Sequence, residues 1–490
     1  MKHTKQTINS SIVSGFSVLI VREIFIKFFA FIGQLILARI LVPEDFGFFV
    51  IISFIASFFN LFTDLGLSFA IIQSKKTPSP HALSAVFWLK ILLSAIVIIL
   101  IYIIAPSVIL IYPQFHLSEV NTLRIFSVTF LITSLQTVPF ALLERNLLYQ
   151  KISLVDIVGV IVYQITAVLL AFYKFSLWSL IDGVIIKEIV TTVLVFWLQP
   201  FRPYFRFHYK DSISLLRFGS FLQGGTIVSF FQASLIPLLA GVIKGNTAVG
   251  LLDWAQNISG IPETITTNFG RVTFSNFSRI QHDRLLLKET IGNAIGLLSI
   301  VTLFLTVMIL GFNAQIVPLL YSAKWIPGIP ALFWFTTASF FISANASIGQ
   351  GILALGRSHT IFIISLTTTI IQWLSAIFLL RIYGFTGIAM SATVVSIFTC
   401  IFYVYAARRV NILPNLLFIL LPKFLVAIFT LIFIYIFHTL LSSNNPITLV
   451  VQITTACICY VFFTSVFAQS DLNRLIDIIR ASIKGKEVKW

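Results

Sequence analysis

The sequence predicts an all-α polytopic membrane protein of about 14 transmembrane helices: two pseudo-symmetric six-helix lobes followed by two C-terminal helices. Three observations predict it. Only 10% of residues are Asp, Glu, Lys or Arg, against roughly one-quarter in soluble chains. Hydrophobic residues reach 58% and mean hydropathy is +1.00, while a soluble core stops growing beyond roughly 250–300 residues. Apolar runs long enough to cross about 30 Å of hydrocarbon recur from end to end.

Taken in order, the expected spans are 12–40, 46–73, 82–111, 121–143, 152–173, 177–199, 213–243, 247–270, 289–312, 328–354, 359–381, 385–407, 416–438 and 446–468. Backbone polar groups in lipid must pair internally, so runs of this length become helices. The first run is span-length and carries Arg22, Glu23 and Lys27, unlike a cleavable signal peptide. With the N-terminus inside, 23 Lys and Arg fall on the inner side, six on the outer side and four within spans. That asymmetry places both termini in the cytoplasm of a cell (inner) membrane protein. It also accounts for the net charge of +16, which lies in short loops beside lipid headgroups and excludes a nucleic-acid partner.

The connection after the sixth span divides the chain. Residues 1–200 form an N-lobe, 201–218 a cytoplasmic linker, 219–410 a C-lobe, 411–470 helices 13 and 14, and 471–490 a basic cytoplasmic tail. A faint repeat relates the lobes: ARILVPEDFGFFVI (38–51) to AGVIKGNTAVGLLDWA (240–255), with Gly47 facing Gly250. ALLERNLLYQ (141–150) likewise matches ILALGRSHTI (352–361), Arg145 answering Arg357. Each part begins inside, so the repeat is parallel. Gly292 and Gly296 are spaced for close helix approach, and Pro139, Pro237 and Pro262 for bends.

Ionisable residues at membrane depth cost about 2.5–3.5 kcal/mol each and usually face a partner or a wet cavity. Arg22, Lys27, Lys90 and Lys187 are the candidate binding residues for an anionic headgroup; Glu23, Asp156 and Glu263 are candidates for ion coupling. Glu23 and Lys27 are four apart and share a helix face, so they can pair with each other. The competing reading makes all of these internal ion pairs or snorkelling side chains. Cys400, Cys457 and Cys459 sit in apolar segments and read as small buried hydrophobes. No metal spacing, nucleotide loop or nucleophile elbow occurs, and neither metal nor cofactor is expected.

The stretches LARILVPEDFGFFVI (37–51) and FTDLGLSFAIIQ (62–73) resemble the opening of the polysaccharide transport family, the Wzx-type flippases. The pattern continues in VGLLDWAQNISGIPETITTNFGRVTFSNFSRIQ (249–281), LYSAKWIPGIPAL (320–332), ALGRSHTIFIIS (354–365) and RIYGFTGIAMS (381–391). Val42–Pro43 departs from the Gly-Pro found in many relatives. The resemblance implies the fold of the multidrug/oligosaccharidyl-lipid/polysaccharide (MOP, MATE-like) exporters, two lobes in a V around a central cavity. It further implies a lipid-linked oligosaccharide substrate, undecaprenyl diphosphate carrying an O-antigen, capsule or exopolysaccharide unit, and no enzymatic activity. Membrane lipids, a glycan polymerase and glycosyltransferases are the other expected partners. Against this stand a MATE-like drug or cation antiporter, which needs an acidic cavity, and a membrane-embedded polymerase or ligase, which usually carries a long outer loop. A non-transporting scaffold for glycan enzymes is a third alternative.

Overall fold

Proline, glycine and capping residues set the helix boundaries in a chain where nearly every long segment is apolar. The structure is a computed structural model that describes residues 22–23, 25–64, 71–72, 78–204, 230–440 and 446–483. Residues 12–21, most of the linker and the end of the tail lie outside the described residues. Among the described residues every regular element is helical. The chain divides into two compact units, Met1–Gly250 and Leu251–Trp490.

The first unit holds α1 (25–40), α2 (Pro43–Asp64), α3 (Pro80–Ile104), α4 (Leu117–Phe126), α5 (Val128–Arg145), α6 (Tyr149–Phe172), α7 (Leu177–Leu198) and α8 (Phe230–Lys244). Pro80 opens α3 where no intrahelical N–H is needed, and the Ser79 side chain accepts from the Ala82 amide at 3.2 Å. The His116 amide donates to Glu119 Oε2 at 2.8 Å and caps α4. Near the end of α8, Pro237 sits in a wide π turn, Ile236–Ala240, because its ring supplies no N–H to the ladder. The Tyr112 hydroxyl donates to the Pro237 carbonyl at 3.3 Å. Gln114 Nε2 donates to the Gly241 carbonyl at 2.7 Å.

The helix α9 (Asn246–Ser259) begins at the end of this unit. A Cβ on Gly47 would strike the Asn246 carbonyl, and a Cβ on Gly250 would strike the Pro43 carbonyl. Each glycine thus admits the backbone residue four positions before the other. The two residues that the internal repeat aligns form one reciprocal crossing, closer than any side chain would permit.

The second unit contains the rest of α9, α10 (Ile261–Arg279), α11 (Arg284–Ile316), α12 (Ile329–Ala354), α13 (Ser358–Tyr383), α14 (Thr386–Arg409), α15 (Leu416–Leu440), α16 (Pro446–Phe467) and α17 (Gln469–Ile483). Asp283 caps α11 by accepting from the amides of Leu285 and Leu286, each at 3.0 Å. Buried Ile295, Ile348 and Ile352 join α11 to α12. The Tyr460 hydroxyl of α16 donates to the Ile300 carbonyl of α11 at 2.7 Å. Gly296 leaves room for the Asp471 carboxylate, 2.9 Å from where a Cβ would stand. Asp471 pairs there with Lys423, which is 4% exposed. This buried ion pair fastens the amphipathic α17 beneath α11 and α15.

Ten described helices are long and apolar enough to cross a membrane. Four of the expected spans take another form. The first and seventh are described only from residues 22 and 230. The sixth exists as α7 but bears Asp182, Lys187 and Glu188. The eighth is broken: α9 ends at Ser259 and α10 starts at Ile261, because Pro262 cannot donate to the preceding turn.

Gly47→Ala and Gly250→Ala are each expected to lower stability by about 1–3 kcal/mol, since backbone cannot rotate aside as a side chain would. The double variant is expected to cost less than the sum, one separation relieving both clashes. Thermal unfolding in detergent measures this. Lys423→Ala leaves the buried Asp471 with only the half-exposed Arg474, 3.9 Å away, and is expected to cost about 2–4 kcal/mol, read the same way.

Candidate functional site

Three neighbouring helices of the first unit carry polar stripes on otherwise apolar sequence. On α5, Thr133, Gln136, Thr137 and Glu144 recur at helical spacing; on α6, Asp156 and Gly159; on α7, Lys187, Glu188 and Thr191. Together with Ile26 of α1 they line a cavity of about 440 Å³, within the range of roughly 300–1,000 Å³ typical of ligand sites.

Two glycines bring α6 and α7 close enough for these side chains to meet. A Cβ on Gly183 would lie 3.2 Å from the Cβ of Ala167, and one on Gly159 would lie 3.0 Å from Thr191 Cγ2. The Lys187 stem runs over Gly159, its Cε 3.6 Å from the same position. Lys187 Nζ then reaches Glu188 Oε1 at 2.9 Å. The other Glu188 oxygen accepts from Gln136 Nε2 at 2.9 Å. Glu188 is therefore held from two helices at once.

Arg22, just before α1, donates from Nη1 to Asp156 Oδ2 at 2.8 Å and lies 3.7 Å from Glu23 Oε2. Its Nε is buried with no hydrogen-bond partner among the described residues. A guanidinium has five donors, and this one is unspent among the described residues.

The fold thus gathers Arg22, Glu23, Asp156 and Lys187 and leaves the other three candidates elsewhere. Lys27 is exposed, and no ion pair joins it to Glu23 among the described residues; Glu23 lies against Arg22 instead. Lys90 is buried and engaged on α3, outside the cavity lining. Glu263 opens a second polar cavity, about 370 Å³, within the second unit, beside Thr266, Thr267 and Gln350. Thr266 Oγ1 bonds the buried Ser343 Oγ at 2.9 Å. Glu144 and Gln136 were not among the sequence candidates. Their signal was the period of polar residues along α5, at 133, 136, 137, 140 and 144, with Phe140 the one apolar member.

The lining is mixed in charge. Three carboxylates, Glu144, Asp156 and Glu188, face one ammonium, Lys187, and Arg22 adds a second cation through Asp156. Such an arrangement can exchange an internal carboxylate for an external anion, or trade a proton for a cation.

Known proteins share both sequence and fold with this chain. The lipopolysaccharide biosynthesis protein WzxC of Escherichia coli (strain K12) is 23% identical over 326 residues, covering 66% of this chain and 65% of that protein. The succinoglycan biosynthesis transport protein ExoT of Rhizobium meliloti (strain 1021) is 24% identical over 337 residues, covering 66% of each. The chain spans just under two-thirds of the length of these curated relatives. Among solved structures, the lipid II flippase MurJ in an inward closed conformation has a TM-score of 0.74 at 16% identity, over 92% of this chain and 98% of that one. An inward-facing multidrug resistance MATE family transporter of the MOP superfamily has a TM-score of 0.62 at 14% identity, over 78% of this chain and 94% of that one. The fold is therefore that of the MOP exporters, and fold alone assigns no substrate. The family model described as polysaccharide biosynthesis protein matches residues 36–330, more than half of the sequence, and the chain belongs to that family.

Proposed function

We propose that this chain is a flippase of the cytoplasmic membrane, with no enzymatic activity of its own. Its substrate is an oligosaccharide on undecaprenyl diphosphate, an O-antigen, capsule or exopolysaccharide repeat unit, moved by alternating access. Support comes from the family, from relatives named for lipopolysaccharide biosynthesis and succinoglycan transport, and from a fold shared with a lipid II flippase. Residues 1–200 and 219–410 are the lobes whose rearrangement changes the side on which the site opens. Glycan polymerase and glycosyltransferases are the partners that this reading adds.

The observation that carries the reading is the set of paired cations beside the cavity, Arg22 with Asp156 and Lys187 with Glu188. Charges at membrane depth persist where they are paired and used. A diphosphate offers the same charge as those carboxylates with more acceptor oxygens, and Arg presents a fork that fits it. On entry it displaces Asp156 from Arg22 and Glu188 from Lys187, while the unspent Arg22 Nε gains an acceptor. Exposed Lys27 adds positive charge to the same unit, whereas the buried and engaged Lys90 takes no part in this exchange. The displaced Asp156, with Glu23 and Glu263, provides places where protons bind, so an ion gradient can be coupled to the exchange.

One observation favours a second reading, an organic-cation antiporter: the three carboxylates against one ammonium in the lining. Resistance to organic cations on overexpression, with surface polysaccharide untouched by deletion, would select it.

Export of surface polysaccharide in a deletion strain carrying variants tests the first reading. Arg22→Ala and Lys187→Ala are each expected to reduce export about tenfold or more, equivalent to about 1.4 kcal/mol. Exchanging charges (Arg22→Asp with Asp156→Arg) is expected to restore part of the loss relative to either single change. Full export by both alanine variants removes the cationic site from the mechanism. For orientation, a fluorescent protein fused after Trp490 is expected to fluoresce and an alkaline phosphatase fused there to be inactive, as a cytoplasmic C-terminus requires.

A further inference from the structure

Away from the polar cavities, a crevice of about 300 Å³ lies between α13 and α14 in the second unit. Its wall is apolar, built by Ile363, Ile364, Phe402 and Val410, and its charged members are Arg357 and Arg409, with no carboxylate in the lining. Both arginines are exposed. Arg409 stacks its guanidinium over the Tyr405 ring, 4.6 Å from the centroid, an arrangement that leaves its N–H donors directed outward. The Arg357 side chain has no ion pair or hydrogen bond among the described residues.

The internal repeat makes that last point informative. Arg145, which occupies the matching position in the first half, donates to the carbonyls of Ile71 at 2.6 Å and Ile72 at 3.3 Å. There the arginine serves the fold. In the second half the same position is left open, beside a second arginine and an apolar slot.

The surroundings restrict what can enter. Phe362, Ile363, Leu366, Ile401 and Tyr405 around the crevice are 43–55% exposed, and a surface this apolar on a membrane protein faces acyl chains. A soluble anion would reach the arginines but gain nothing from the slot, and a neutral lipid would fill the slot but leave two cations unanswered. Basic pockets between transmembrane helices on the cytoplasmic side recognise anionic headgroups. We propose that this crevice is a binding site for an anionic membrane phospholipid, its phosphate held between Arg357 and Arg409 and the start of an acyl chain lying against Ile363, Ile364 and Phe402. The site is separate from the transport cavity and holds whichever substrate that cavity takes.

The test uses the full chain in detergent micelles with a phosphatidylglycerol whose acyl chain bears a photoreactive diazirine. Labelling is expected in peptides from residues 358–367 and 398–410, competed by excess phosphatidylglycerol and at least tenfold less by phosphatidylcholine. Arg357→Gln with Arg409→Gln is expected to reduce this labelling at least tenfold while leaving gel-filtration profile, melting temperature and labelling elsewhere unchanged. Should the double variant unfold, Tyr405→Leu, which removes only the ring beneath Arg409, is expected to weaken labelling severalfold in a folded protein. Equal labelling in folded variants and wild type overturns the proposal, as does equal competition by phosphatidylcholine. Competition by inorganic phosphate as strong as by phosphatidylglycerol overturns the lipid assignment as well.

Discussion

A charge inside hydrocarbon must find an opposite charge, a donor or water, and this constraint organises the first unit. Asp156, Lys187 and Glu188 come from two helices yet line one cavity, and Arg22, 134 positions before Asp156, is paired with it. No single helix can satisfy them. Asp156 needs the segment before α1, and Glu188 needs both its own neighbour Lys187 and Gln136 from α5. The helices are consequently positioned by their polar stripes, whereas the remaining surface, such as Leu110 at 84% and Ile103 at 68% exposed, is left to lipid. A pairing that stabilises the resting protein is also one that a competing anion can take over. In the proposed mechanism, structure and transport chemistry rest on the same contacts.

Close approach supplies the second requirement. Lipid tails are as apolar as leucine, so helices gain little by hiding Leu or Ile from one another and associate through tight packing instead. Glycine does this at three places: Gly159 and Gly183 between α6 and α7, Gly47 and Gly250 at the α2–α9 crossing, and Gly292 and Gly296 along α11. At the last of these the freed space admits side chains from α15 and α17 and not a bare backbone. Gly296 makes room for Asp471, whose pairing with buried Lys423 draws an amphipathic segment onto the membrane-spanning helices. Small residues thus decide both how near the helices come and which polar group fits between them.

Period and composition made much of this legible. The long apolar runs mark α3, α5, α6 and α11 to α16 with ends displaced by several residues, because hydropathy senses the lipid-facing length and not the capping chemistry. Hydropathy carried the eighth span through as one segment, since Gly260 and Pro262 are too few to lower an average, although one missing N–H suffices to break the ladder. The tail beyond 470 reads as basic and solvated, yet its first half is α17, which depends on a carboxylate pairing 48 positions away and on the room left by Gly296. Among the site residues, the charges stood out by their rarity. Gln136 did not, because a neutral amide in an apolar helix is unremarkable until its partner Glu188 is seen across from it.

The sequence by itself determined the class of the protein and the identity of its unusual charges, since these follow from local hydropathy and from the rarity of ionisable residues in apolar runs. It left open which charges meet. The expectation that Glu23 could pair with Lys27 follows from helical spacing, and that spacing is real. Arg22 lies closer to Glu23 and takes Asp156 as well, an arrangement available only once α6 is packed beside the start of α1. Partner choice between segments 134 residues apart is a property of packing, fixed by which backbones can touch, and only the tertiary structure holds that information.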